Sequence, residues 1–150
     1  MNLQLDFIDL TKQHFRYLED EFGFVLQSNT PPFVIYESDT LRVFVYYDAQ
    51  RQCELDVGIE RLSDAAKQVP TFGLGELILI DNCNEEYCSP YPSTREMLQI
   101  EVPRLAELLR KHAVKILNGD IRELGKIEKL RSEKEQEMSV ALKPGNQLRG

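Results

Sequence analysis

The hydrophobic positions of this chain change period along its length. From Phe7 onward they recur every three or four residues. Phe7, Leu10, His14, Tyr17 and Leu18 make one stripe, with Lys12, Arg16, Glu19 and Asp20 off it. That spacing predicts a helix over residues 6–22, with Asp6 or Asp9 as N-cap and Gly23 as the residue that ends it. Phe24 to Ser28 then read as a short strand, closed by Asn29-Thr30-Pro31-Pro32, where the prolines stop ladder pairing. Between Phe33 and Leu62 lie three runs rich in β-branched and aromatic residues, broken by Ser38-Asp39-Thr40 and by Asp48 to Gln52. They predict an antiparallel meander. The third run alternates: Cys53, Leu55, Val57 and Ile59 fall on one face, and Glu54, Asp56 and Glu60 on the other. A sheet with one dry and one wet face has this pattern.

Beyond Leu62 the period is harder to read. Ser63 to Gln68 suit a helical turn or an extended hairpin arm, Gly73-Leu74-Gly75 interrupt, and Glu76 to Asp81 suit a fifth strand or a short helix. Residues 82–92 have the composition of a surface loop. Helical spacing returns at Ser93-Thr94-Arg95-Glu96, a capping box with Ser93 as its cap. Leu98, Val102, Leu105, Leu109, Ala113 and Ile116 carry the helix to Asn118-Gly119, with Pro103 expected to kink it near Gln99. A final charged helix is expected over 121–137 on a thin stripe of Ile121, Leu124, Ile127 and Leu130. Residues 139–150, with Pro144 and Gly145, read as a disordered tail. The expectation is an α+β domain over 1–138. A four- to five-stranded antiparallel meander packs against an N-terminal helix and a long C-terminal helix, with a further charged helix after them.

Length and charge narrow the partners. At 150 residues the chain suits one domain that needs neither disulfide nor metal to fold. It carries 25 acids against 18 bases, a net −7, and its bases are interleaved with acids in the C-terminal helices. Such a surface repels a phosphate backbone, so direct nucleic-acid binding is not expected and one basic protein partner suits the balance better. The opening Met-Asn-Leu-Gln-Leu-Asp lacks the basic and apolar regions of a signal peptide, and no run approaches the ~18 apolar residues of a membrane span. Three cysteines, an odd number, fit free thiols in a reducing cytoplasm.

No local motif names a reaction. Cys83 and Cys88 share a loop, but the remaining soft ligands, Cys53, His14 and His112, are on a strand face and on helices, so no metal or other cofactor is expected. His14 and His112 read as boundary or core histidines. Gly73-Leu74-Gly75 lacks the third glycine and the lysine of a phosphate loop. No catalytic residue is assigned. The wet face is more informative. Arg42, Phe44 and Tyr46 alternate with Leu41, Val43, Val45 and Tyr47. If the second set is dry, Phe44 and Tyr46 stand beside Glu54, Asp56 and Glu60 as an aromatic patch rimmed by carboxylates. The alternative is that the C-terminal helices cover this face and the aromatics are core. The loop adds Glu85, Glu86 and Tyr87 as candidate contacts.

The order helix, Glu-Phe-Gly-Phe turn, then Val-Ile-Tyr-Glu-Ser-Asp, Leu-Arg-Val-Phe-Val-Tyr-Tyr-Asp and Glu-Leu-Asp-Val-Gly-Ile, followed by Tyr-Pro-Ser-Thr-Arg-Glu and Leu-Ala-Glu-Leu-Leu-Arg-Lys-His-Ala, resembles small bacterial immunity proteins of polymorphic toxin systems. The likeness spans about residues 6–118, and the chain departs from it in Pro103 and in the helix after Asn118. It implies a non-enzymatic module that binds and neutralises a toxin. A small adaptor or assembly subunit that uses its C-terminal helices, which could also pair two copies, is the alternative, and an enzyme of unknown type the third.

Overall fold

The computed structural model describes residues 2–62, 71–81, 86–120 and 122–147, with 137–147 as backbone alone. Five strands lie in sequence order in one antiparallel sheet: β1 (Val25–Ser28), β2 (Phe33–Glu37), β3 (Leu41–Tyr47), β4 (Leu55–Arg61) and β5 (Thr71–Gly73). With the helices at both ends of the chain this is the expected α+β meander.

The first helix is shorter and rotated relative to its expected stripe. It runs as α1 (Leu3–His14), and its cap is Asn2 rather than Asp6 or Asp9: the Asn2 side chain accepts from the amides of Gln4 at 3.0 Å and Leu5 at 3.3 Å. A separate turn, α2 (Tyr17–Asp20), follows. The break at Phe15 lets Phe7, Thr11, Phe15 and Leu18 face the core, while Leu10, His14 and Tyr17 sit at the boundary. Gly23 takes φ +74°, a left-handed conformation open to glycine, and sends the chain into β1.

Side chains fix the hairpin turns. Ser38 Oγ accepts from the amides of Thr40 and Leu41, and Asp48 Oδ1 accepts from those of Gln50 and Arg51. Short polar side chains that bond their own backbone are what tight turns require. The registers that result pair Phe33 with Tyr46, Phe44 with Gly58, and Arg42 with both Glu37 and Glu60.

The dry face is Val34 and Tyr36, then Leu41, Val43, Val45 and Tyr47, then Leu55, Val57 and Ile59. α1 packs on β3 and α4 (Arg95–His112) on β4. Phe7 meets the Tyr47 ring at 5.3 Å, and the Tyr47 hydroxyl donates to the Pro92 carbonyl at 2.7 Å. α4 is capped by Thr94, not Ser93, and runs on through Pro103. It stops at His112. Ala113 turns the chain into a short α5 (Val114–Leu117) that buries Ile116 and Leu117, where one unbroken helix was expected.

Leu74 to Asp81 form a helix, α3, which settles the strand-or-helix ambiguity: Leu74, Leu77 and Ile78 are buried at helical spacing. Residues 63–68 lie outside the described residues. α6 (Arg122–Gln147) is longer than expected and takes in residues 139–147, where a disordered tail was expected. It docks through Leu124 and Ile127, and through Arg131. That guanidinium forks onto the Glu76 carboxylate, donates to the Thr71 carbonyl at 2.6 Å and lies 5.2 Å over the Phe72 ring. Burial acts to raise the Glu76 carboxyl, but the bonds from Arg131 and from the Gly73 amide outweigh it and hold it below the ordinary carboxylate range.

Candidate protein interface

Alternation on β3 decides the site. Leu41, Val43, Val45 and Tyr47 are the buried set, so Arg42, Phe44 and Tyr46 point away from the helices. Among the described residues no helix lies over them. The rings cluster. Phe33 is 5.2 Å from Tyr46 and 6.3 Å from Phe44, centroid to centroid. Ile35, half-buried, and Val25, 57% exposed, extend the apolar strip toward β1.

Gly58 explains the posture of Phe44. It faces Phe44 across the β3–β4 ladder and carries no side chain, so the tip of the ring occupies the space a Cβ would take. A strand glycine often marks such a close approach.

Around these rings the charges fall into two groups. At one end Arg42 is clamped between Glu37 at 2.8 Å and Glu60 at 3.0 Å, so that both acids share one guanidinium. At the other end Tyr46 is paired with Asp56, and its hydroxyl lies 3.4 Å from Asp48 Oδ2. Desolvation, then the carboxylates of Asp48 and Glu54, push that hydroxyl above its ordinary pKa. Among the described residues the Glu54 carboxylate has no hydrogen-bond or ion-pair partner.

Of the expected contact residues, Phe44, Tyr46, Glu54, Asp56 and Glu60 therefore share this face. Tyr87 does not stand free. It is half-buried, packs against Gly75, and donates to Asp56 Oδ1 at 3.2 Å, and burial raises its hydroxyl pKa. Glu86 is exposed in the loop, and Glu85 lies outside the described residues. Phe33, Ile35, Glu37 and Asp48 join the face unexpected. Both faces of β2 are rich in apolar residues, so only counting the register back through the Ser38–Thr40 turn would have found them.

Elsewhere several charged groups are engaged within the fold. A groove of 1120 Å³ between α1 and α4 is lined by His14, Tyr17, Ile100, Arg104, Glu107 and Arg110 among others. Arg104 pairs with Glu101, and Arg110 pairs with Glu21 while lying 5.4 Å over the Tyr17 ring. His112 is buried, its Nδ1 2.7 Å from Asp81 Oδ2. Cys53 is half-buried and Cys88 exposed, while Cys83 lies outside the described residues. Among the described residues no group of three or more His, Cys, Asp or Glu side chains could hold a metal ion, and no helix is long and apolar enough to cross a membrane.

The chain matches no protein-family model, no curated protein and no solved structure.

Proposed function

We propose that this chain is a non-enzymatic binding module that docks one basic protein partner on its open sheet face, and that the partner is a toxin it neutralises, as immunity proteins do. The observation that carries the reading is the cluster of Phe33, Phe44 and Tyr46 on a face that, among the described residues, no helix covers and at whose rim the Glu54 carboxylate has no partner. Aromatic anchors inside a polar rim are the usual composition of an interface centre, and uncompensated charge at the edge steers a complementary partner. Glu54→Lys is the clean probe, because Asp56 also holds Tyr87 and the Val57 amide and its reversal would disturb the fold.

The test is affinity capture from the native host, with the partner identified and then recaptured on Glu54→Lys and Phe44→Ala chains. The expected partner is basic, is lost or weakened on both variants, and arrests growth when expressed without this chain. Undiminished capture by the variants, or a partner whose expression is harmless, overturns the reading.

One observation favours the adaptor reading instead. Past Arg131 the side chains of Ser132 to Gln136 are all exposed, while the helix continues to Gln147. An assembly subunit would use that projecting arm, and capture would then survive the sheet variants and fail on a chain cut after Arg131.

A further inference from the structure

Resting on the reading of the open sheet face as the docking surface, we infer that the partner presents arginine, rather than lysine, to the aromatic cluster. Two properties coincide at one end of the face. Phe33 contacts both Tyr46 and Phe44, tilted at 50° to the first and at 76° to the second, so both ring faces and edges are offered. The more acidic end of the face is the same one. Among the described residues the Glu54 carboxylate has no partner, Asp56 faces Tyr46 across the ladder while accepting from Tyr87, and Asp48 lies beside the Tyr46 hydroxyl with the exposed Arg51 guanidinium 3.9 Å away, whereas at the far end Arg42 is shared by Glu37 and Glu60.

A cation that satisfies both properties must stack on a ring and reach a carboxylate together. Guanidinium does so: it is planar, weakly hydrated and forked, and it is attracted to the ring quadrupole. An ammonium is a compact, strongly hydrated point charge that offers carboxylates no fork and loses more hydration against the rings. The fold uses the same combination twice inside itself. Arg131 lies over Phe72 while forked on Glu76, and Arg110 lies over Tyr17 while paired to Glu21. The sheet face repeats the aromatics and the carboxylates, but among the described residues no guanidinium lies over its rings; the exposed Arg51 reaches only Asp48, at 3.9 Å.

The experiment titrates the full isotope-labelled chain with nona-arginine and with nona-lysine peptides at ~0.15 M ionic strength, where long-range charge effects are screened beyond ~8 Å. Both peptides should shift the backbone amides of Phe33, Phe44 and Tyr46. Nona-arginine should bind about fivefold tighter or more, the scale of one partly desolvated cation–π contact. The Phe33→Leu/Tyr46→Leu chain keeps apolar bulk and removes two rings. It should bind both peptides alike, within about twofold on the same scale. Should the pair of substitutions fail to fold, Phe33→Leu alone should reduce the difference. Equal affinities of the two peptides for the wild-type face overturn the arginine inference and leave the docking reading standing. Shifts confined to other surfaces, or none with either peptide, overturn the docking reading and the inference with it.

Discussion

Gly58→Ala tests the arrangement on which the open face depends. A Cβ at residue 58 would lie 2.8 and 2.9 Å from the two ε carbons of Phe44 and closer still to its Cζ. Carbon pairs settle at roughly 3.5–4.0 Å, so the ring tip must retreat by more than about 1 Å. Its retreat is hindered by Phe33, 6.3 Å away edge to face, and by Ile35, its partner in register on β2. Overpacking of this kind costs about 1–3 kcal/mol. Against it stands the entropy a glycine-to-alanine change removes from the unfolded chain, about 0.4–1 kcal/mol. The net expectation is a loss of up to about 2.5 kcal/mol. On a Phe44→Ala background the clash is gone, and the same substitution should be neutral or stabilising by up to about 1 kcal/mol. Urea denaturation of the four chains gives the coupling directly. It should exceed the ~0.5 kcal/mol seen for independent sites. If Gly58→Ala costs the same on both backgrounds, or stabilises the wild type, Phe44 does not lie over Gly58 and its fixed posture on the face is wrong.

Three further outcomes can be measured on the isolated chain. Glu76 titrates below the ordinary carboxylate value in the folded state. Its contribution is therefore present above the unfolded value of ~4.3 and disappears as pH falls through the lower folded value, so the melting-temperature gap between wild type and Glu76→Gln should be open at neutral pH and close below about pH 4; a gap unchanged at pH 3 refutes the Arg131 latch. Among the described residues Tyr36 Oη and Thr11 Oγ1 are buried without a hydrogen-bond partner, so Tyr36→Phe and Thr11→Val should hold stability or raise it by up to about 1 kcal/mol in the same denaturation assay, where a loss of more than about 1 kcal/mol would reveal a further partner. Asn2→Ala removes the α1 cap and should cost about 1 kcal/mol, with early loss of amide-exchange protection confined to the first turn; unchanged protection there would place the cap elsewhere.

Where one local rule governed, the sequence could be read. On β3 and β4 alternation and turn chemistry point the same way, and the sheet, its dry set and the placement of Phe44 and Tyr46 beside the acids follow. It was less legible where two rules compete. Leu10, His14 and Tyr17 match a helical stripe as well as Ile8, Thr11 and Phe15 do. The core takes the second set because the helix breaks at Phe15 and Thr11 is small enough to bury. Asp6 and Asp9 are good caps by residue type, but Asn2 stands one residue before the first helical position and wins. Leu77 to Ile80 is an apolar run without period. It becomes helical where Leu74, Leu77 and Ile78 can all reach the core, leaving Leu79 38% exposed. Tyr87 has an interface composition, yet its role is set by Asp56 and Gly75, which are 31 and 12 positions away and carry no local signal.

The open face is also better prepared for binding than its exposure alone implies. Ordering long side chains at an interface costs about 0.5–1.5 kcal/mol each, and a surface whose side chains are already placed avoids most of that cost. Here Arg42 is held from both sides by Glu37 and Glu60, Phe44 is seated over Gly58, and Phe33 is fixed against two rings. The turn at Asp48 is tied by two backbone amides, so the carboxylate beside Tyr46 is fixed as well. Glu54 is the exception: among the described residues its carboxylate has no partner. A pre-ordered aromatic centre with one unengaged acid at its edge suits a partner that is drawn in by charge and then held by stacking. It also separates the two effects experimentally. Glu54→Lys should act on the association rate and on salt dependence, whereas Phe33→Leu should act on the dissociation rate. A partner complex in which both substitutions change only the association rate would mean that the rings make no contact, and that charge alone brings the two surfaces together.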